Sequence, residues 1–369
     1  MEVNQNRTAF FELLKAGLFP ERQFEETNIQ IFNDVEWEVV FRLAEEQAVV
    51  GVVTAGIDSL QVPIPQEWRL QFIGTTLQIE KQNKSMNEFV AWLVEYLRNK
   101  DVYTLLVKGQ GIAKCYEKPL WRACGDVDLL LSDTNYVKAK LELMPIATNV
   151  EKEYRLLKHL GMVVNGFMVE LHGTLRSRLT KRIDKEIDLV QDECFLNGEV
   201  RSVEFNNSRG TKVQVFLPSY NQDVVFIFTH ILHHLFIEGI GLRQICDLYR
   251  LLWTYRGMMD LSRLEKHLQK MRLMTEWRTF GALAVEYLGI PKEAVPFYDS
   301  RFNAKGTGLM SFMLETGNLG HSRKNERGGT VQTLVRRAKD AFRLMRVFPV
   351  DAWKMYFSMI RTGLVLRAE

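Results

Sequence analysis

The chain predicts an α+β protein. A small mixed-sheet unit, at about residues 101–220, is held between an N-terminal helical region (1–100) and a C-terminal helical region (221–369). Three observations predict this. Apolar residues recur at helical spacing over long stretches at both ends. The stretch Leu105–Leu131, LLVKGQGIAKCYEKPLWRACGDVDLLL, reads as a buried strand, a glycine turn, a short helix, a loop and a strand opening on two carboxylates. Asn165-Gly166 then stands between two β-rich runs, and both central positions of a type I′ hairpin turn need positive φ.

In chain order, Asp34 can cap a helix carrying Val35, Trp37, Val40, Phe41 and Leu43. Pro63 and Pro65 punctuate, and Trp68–Leu97 follows as a long helix. Its stripe is Phe72, Thr75, Leu77, Ile79, Met86, Phe89, Val90, Leu93 and Leu97. This region reads as scaffold. Within the sheet unit, Ser132–Met144 predicts a helix with Ser132 or Asp133 as its cap. His159–Leu175 predicts the hairpin, with Glu170 amid apolar neighbours in its second strand. Val200–Val203 and Lys212–Phe216 are short strands around the turn NNSRG. Beyond Asn221, Val224–Ile237, Leu242–Tyr255 and Leu261–Leu288 are periodic helical segments, the last stopped by Gly289 and Pro291. Asn318–Gly329 reads as a mobile polar loop, and Val331–Leu366 as a basic helical segment broken at Pro349.

Composition narrows the function classes. Of 369 residues, 46% are hydrophobic and 25% charged, the balance of an ordinary globular protein. A net charge of +3 is too small to argue for nucleic acid by itself. Cys115, Cys124, Cys194 and Cys246 lack CxxC spacing, which argues against structural zinc and a disulfide scaffold. No secretory leader is visible at the N-terminus, and no run approaches the roughly 20 apolar residues of a membrane span. A cytoplasmic protein is expected.

Asp126 and Asp128 carry the chemistry. Two apart on a strand, they point the same way, while Val127 and Leu129 point into the core. Paired carboxylates on a rigid strand suit a hard divalent cation such as Mg²⁺. The Lys108-Gly109 turn lets backbone approach a phosphate. Lys108 can meet that phosphate or pair with one of the aspartates.

These residues carry a resemblance. Lys108-Gly109, Ile112-Ala113, Tyr116, Pro119, Arg122 and Gly125-Asp126-Val127-Asp128-Leu129-Leu130 match K-G-x-x-[IL]-A, Y-x-x-P, an Arg and G-D-[IV]-D-L-L. The stretch resembles the uncharacterised bacterial nucleotidyltransferase family, within the polymerase-β-type superfamily. It departs from the superfamily at Gln110, where Gly or Ser usually follows the glycine. The resemblance implies a polymerase-β-type unit that moves a nucleoside monophosphate from an NTP to a hydroxyl acceptor and releases pyrophosphate. It implies Mg²⁺ (or Mn²⁺) on Asp126 and Asp128. Glu170, followed by Leu171-His172 as in that family, would be the third ligand and assist deprotonation of the acceptor. Lys108, Gly109 and Arg122 would hold the triphosphate. Arg122 can instead pair with Asp126, and His172 can line the site or simply end its strand. The acceptor is a small molecule or a protein, with an RNA end compatible but not favoured.

Other features have plainer readings. His230, His233 and His234 share a helical face at zinc-like spacing but lack the zincin Glu, so a structural or substrate-facing helix is expected. Asp247 lies four after Arg243, which a helical ion pair explains, although a supporting role is compatible with the resemblance. Arg323, Lys324, Arg327, Arg336, Arg337, Lys339, Arg343 and Arg346 are interleaved with apolar residues. A solvated basic face is expected there, with membrane or RNA binding as the alternative. A nucleotide-binding module without turnover is the remaining rival, with Gln110 as its one hint.

Overall fold

A computed structural model describes residues 2–20, 29–237, 239–316, 330–349 and 351–367. Four helices lead: α1 (Glu2–Leu18), α2 (Trp37–Glu46), α3 (Val50–Leu60) and α4 (Gln66–Arg98). Glu36, not Asp34, is the N-cap of α2, and it makes no side-chain capping bond. α1 and α3 cross at backbone contact. A Cβ on Gly17 would sit 1.9 Å from the Val52 carbonyl oxygen, and one on Gly56 would sit 1.9 Å from that of Leu13. Only glycine permits that approach.

The sheet unit follows: β1 (Leu105–Val107), α5 (Gly109–Ala113), β2 (Val127–Leu130), α6 (Asp133–Leu143), β3 (Ala147–Val150), β4 (His159–Val164) and β5 (Phe167–His172). The five strands form one sheet in the order β1-β2-β5-β4-β3. β2 and β5 run parallel, and the other pairs are antiparallel. The β4–β5 turn is the expected one, with φ of +49° at Asn165 and +83° at Gly166. α7 (Lys181–Leu196) was not foreseen as a helix. Thr180 caps it by accepting from the Ile183 N–H. β6 (Val200–Asn206) and β7 (Lys212–Pro218) make a separate two-stranded ribbon, not part of the main sheet.

The helical C-terminal region comprises α8 (Tyr220–Ile237), α9 (Leu242–Tyr255), α10 (Leu261–Met271), α11 (Met274–Tyr287), α12 (Asn303–Thr316), α13 (Thr330–Leu344) and α14 (Asp351–Arg367). The helix expected over Leu261–Leu288 is two helices, because Arg272 turns left-handed at φ +57° and closes α10. Leu77, placed on the buried stripe of α4, is 56% exposed. The expected loop at 318–329, with Arg323, Lys324 and Arg327, lies outside the described residues.

Two cores divide the sheet. One face buries Leu106, Val127, Leu129, Val169 and Leu171 against the second half of α4 and against α6. The opposite face sends Leu105, Val107 and Leu130 into a core shared by α1–α3, α8, α9 and α11. The N- and C-terminal helices therefore meet over the face on which the polar site stands. α13 and α14 join this core through Leu344, Val347, Phe348, Ala352 and Met355. No described helix is long and apolar enough to cross a membrane.

Candidate active site

Strand register builds the site. Val107 pairs with Asp128, and Asp128 pairs with Glu170 across the parallel β2–β5 ladder. Residues opposite one another on a ladder share a face. His172, two beyond Glu170, returns to that face, as does His159, its partner on β4. Asp126 lies just before β2 and lines the same cavity as Asp128 and Glu170, of about 180 Å³.

The charges are closely coupled. Lys108 Nζ donates to Asp128 Oδ1 at 2.7 Å, and His172 Nε2 lies 2.8 Å from the same oxygen. His159 Nε2 and His172 Nε2 each lie 3.3 Å from Glu170 Oε2. Burial works to raise the Asp128 carboxyl, but Lys108 and His172 outweigh it and hold the group below the usual carboxylate range. Glu170 is likewise lowered: burial opposes the shift, and hydrogen bonds from His159 and His172 prevail. Asp126 goes the other way, raised by burial and by the negative charges of Asp128 and Glu170. Three carboxylates thus face one space with an excess of negative charge, and this donor set fits a hard divalent cation.

The turn before the site is strained. Lys108 has φ +58° and ψ −149°, a region that side chains other than glycine rarely enter and that costs about 1–3 kcal/mol. Gly109 follows at φ +34°, and a Cβ there would stand 3.2 Å from the Asp126 carbonyl oxygen. The geometry draws the turn against the loop that leads into β2. Lys108 makes the expected ion pair, with Asp128, and its ammonium stays at the cavity wall.

A family model described as an uncharacterised nucleotidyltransferase matches residues 33–289, which span α2 to α11 and every residue of this site. The chain belongs to that family. Comparison with curated proteins and with solved structures gave no match.

Several motif residues of this nucleotidyltransferase prove to be internal struts. Arg122 lines the cavity, but its guanidinium is engaged with Asp247 and not with Asp126. Its Nε and Nη2 donate to the two oxygens of Asp247 at 3.0 and 2.5 Å, and Nη1 to Cys124 Sγ at 2.9 Å. Tyr116 donates to the same Asp247 carboxylate at 2.8 Å. The reason is burial: Arg122 is 5% exposed, and a guanidinium out of water needs a carboxylate beside it. The expected pair of Asp247 with Arg243 is accordingly absent. Arg243 instead donates to the Ala123 carbonyl at 3.1 Å and lines the cavity beside Asp126. Burial and the neighbouring Arg122 pull its guanidinium below its ordinary value.

Gln110 is also structural. It donates to Asn83 Oδ1 at 3.4 Å and accepts from Cys124 Sγ at 3.2 Å. Asn83, buried on α4, donates to the carbonyls of Leu120 and Arg122, both at 2.8 Å. The long helix therefore fastens the loop that carries Arg122 to the turn before the aspartates.

On the far side of Glu170 lies a second cavity of about 260 Å³. Lys108, Glu170 and His230 line both cavities. His233 donates from Nδ1 to the Ser177 carbonyl at 2.6 Å, and Nε2 of His230 and His234 are 3.0 Å apart. Burial, with Lys108 and His234 nearby, holds His230 well below its usual pKa and so neutral. All three histidines of this helix line the second cavity. Two cavity residues are not signalled by a sequence motif: Arg243, whose spacing suggests a helical ion pair with Asp247, and His159.

Proposed function

We propose that the protein transfers a nucleoside monophosphate from an NTP to the hydroxyl of a small-molecule acceptor. The carrying observation is the register of Asp128 against Glu170, with Asp126 at the same cavity and the strained Lys108-Gly109 turn at its wall. Asp126, Asp128 and Glu170 would hold Mg²⁺ or Mn²⁺, which supplies charge neutralisation of the triphosphate and lowers the pKa of the acceptor hydroxyl.

The chain's own groups supply position and charge. The bond from the acceptor oxygen to the α-phosphorus forms as the bond to the departing pyrophosphate breaks, and the hydroxyl proton passes to solvent water in the open cavity. Gly109 lets backbone approach the triphosphate, and Lys108 offers it an ammonium already at the cavity wall. Arg243 takes the part that the resemblance implied for Arg122. Arg122 acts through position, holding the loop before Asp126 against Asp247. Glu170, kept ionised by its two imidazoles, is better suited to hold a cation than to accept a proton. The 260 Å³ cavity would receive the acceptor, and its size favours a small molecule over a protein surface.

Gln110, the hint for a module without turnover, is accounted for by its bonds to Asn83 and Cys124. Among the described residues, the basic C-terminal helices bury Leu344, Ala352 and Met355 and Arg343 pairs with Glu315, while Val335, Phe342 and Phe357 stay exposed, so the surface reading keeps a partial footing.

A thermal-shift screen of the four NTPs with Mg²⁺ and with EDTA tests the reading, using wild type and the Asp126→Asn/Asp128→Asn double variant. Saturation at a hundred times Kd adds about 2.7 kcal/mol to stability. Metal-dependent stabilisation is expected in wild type and not in the variant, whose pyrophosphate release with an acceptor should fall roughly a thousandfold or more. Equal stabilisation of both proteins would overturn the site.

A further inference from the structure

Beyond the aspartates, three side chains of the β4–β5 hairpin converge. His159 and His172 pair directly across the ladder, and Glu170 stands between them on the same face. One ligand atom from each of His159, Glu170 and His172 lies within 4.8 Å of the other two. A tetrahedral ion with bonds of about 2.0–2.1 Å needs donors roughly 3.3–3.4 Å apart. Both nitrogen–oxygen edges already measure 3.3 Å.

The donor types matter as much as the distances. Imidazole nitrogen suits zinc-like ions, whereas Mg²⁺ takes oxygen ligands and rarely imidazole. Both histidine contacts use Oε2, so Oε1 takes part in neither and remains for the aspartate side. All three residues line the 260 Å³ cavity. Three protein donors facing open space are the arrangement of a site that keeps one position for a further ligand.

We propose that His159, Glu170 and His172 bind a divalent transition metal of the Zn²⁺ class on the acceptor side of Glu170, separate from the cation on Asp126 and Asp128. Its open position faces the cavity, where an oxygen or nitrogen of the acceptor would complete the shell. The inference goes beyond the transfer reading and is tested without nucleotide, so either can fail alone.

The full chain, stripped with EDTA and desalted, is titrated with Zn²⁺ and Mg²⁺ by calorimetry and with Co²⁺ by visible absorption. One equivalent of Zn²⁺ is expected to bind at least roughly 100-fold more tightly than Mg²⁺, with Co²⁺ showing the intense bands of a low-coordinate site. His159→Ala should weaken Zn²⁺ roughly 10- to 100-fold, while Asp126→Asn changes it less than about threefold. His159→Cys, which keeps a donor at that position, should retain the site and add a sulfur-to-cobalt charge-transfer band, so that a folding defect in the alanine variant is not mistaken for a lost ligand. Zn²⁺ binding no tighter than Mg²⁺ overturns the proposal. So does tight binding that survives His159→Ala and is lost in His230→Ala, which would move the ion to the His230–His234 pair on α8.

Discussion

Arg122 and Arg243 both line the cavity of the aspartates but differ in how their guanidinium groups are held, and the difference has measurable consequences. Arg122 is buried and paired with both oxygens of Asp247, so Arg122→Ala leaves a carboxylate uncompensated in the interior. Such losses cost about 3–5 kcal/mol, and urea denaturation should show that loss. Arg243 is half-buried at the cavity beside Asp126, and its Nε has no hydrogen-bond partner. Arg243→Ala should leave stability within about 1 kcal/mol of wild type and raise KM for the NTP roughly tenfold or more. Steady-state kinetics with a fixed acceptor would read the difference. An arginine scan in which Arg122→Ala weakened NTP binding without unfolding the protein would restore the original assignment. The acid–apolar–acid motif was legible at this scale because a strand allows one outcome for residues two apart. Arginine pairing was not, because Asp247 lies 125 residues from Arg122 and only packing brings them together.

Helices and strands differ in how much the chain announces them. The hairpin was readable to the residue. A two-residue turn at Asn165-Gly166 sets Val164 against Phe167, and counting outward sets Gly161 against Glu170 and His159 against His172. His159 could have been found by that count alone. The break between α10 and α11 carried no such signal, since Arg272 occupies a left-handed position usually given to glycine or asparagine. That position costs a branched or long side chain about 1 kcal/mol or more. Arg272→Gly should therefore stabilise the protein by about 0.5–1 kcal/mol, read from the urea midpoint at unchanged slope. The fastening by α4 is likewise tertiary: Asn83→Ala strands the Leu120 and Arg122 carbonyls and should cost about 1–3 kcal/mol. Activity should fall with it, because the loop it holds leads directly to Asp126.

Across the whole molecule, the two terminal helical regions share a core over the functional face, so the sheet unit is not an independent insert. That sharing was invisible in amphipathic patterns, which show that a face is buried but not against what. One joint in it is pH-sensitive. Glu276 on α11 is fully buried, and burial with the nearby Asp351 of α14 pushes its carboxyl up to about 8. In the unfolded chain it titrates near 4.5. Between those values the folded state holds a proton that the unfolded state has released, so stability falls as pH rises. A loss of about 2–4 kcal/mol between pH 5 and pH 8 is expected, and Glu276→Gln should flatten it. A wild-type profile rising over that range would contradict the assignment.

The wall formed by Lys108, Glu170 and His230 between the two cavities bears on order of events. If the nucleotide takes the 180 Å³ cavity and the acceptor the 260 Å³ one, as proposed, neither must vacate the other's before it enters. Double-reciprocal plots at several fixed concentrations of the second substrate should then intersect, as for a ternary complex. Dead-end analogues of either substrate should leave the other's entry open. Parallel lines would mean that the nucleotide is first parked on the protein itself, and would turn the search for an acceptor inward.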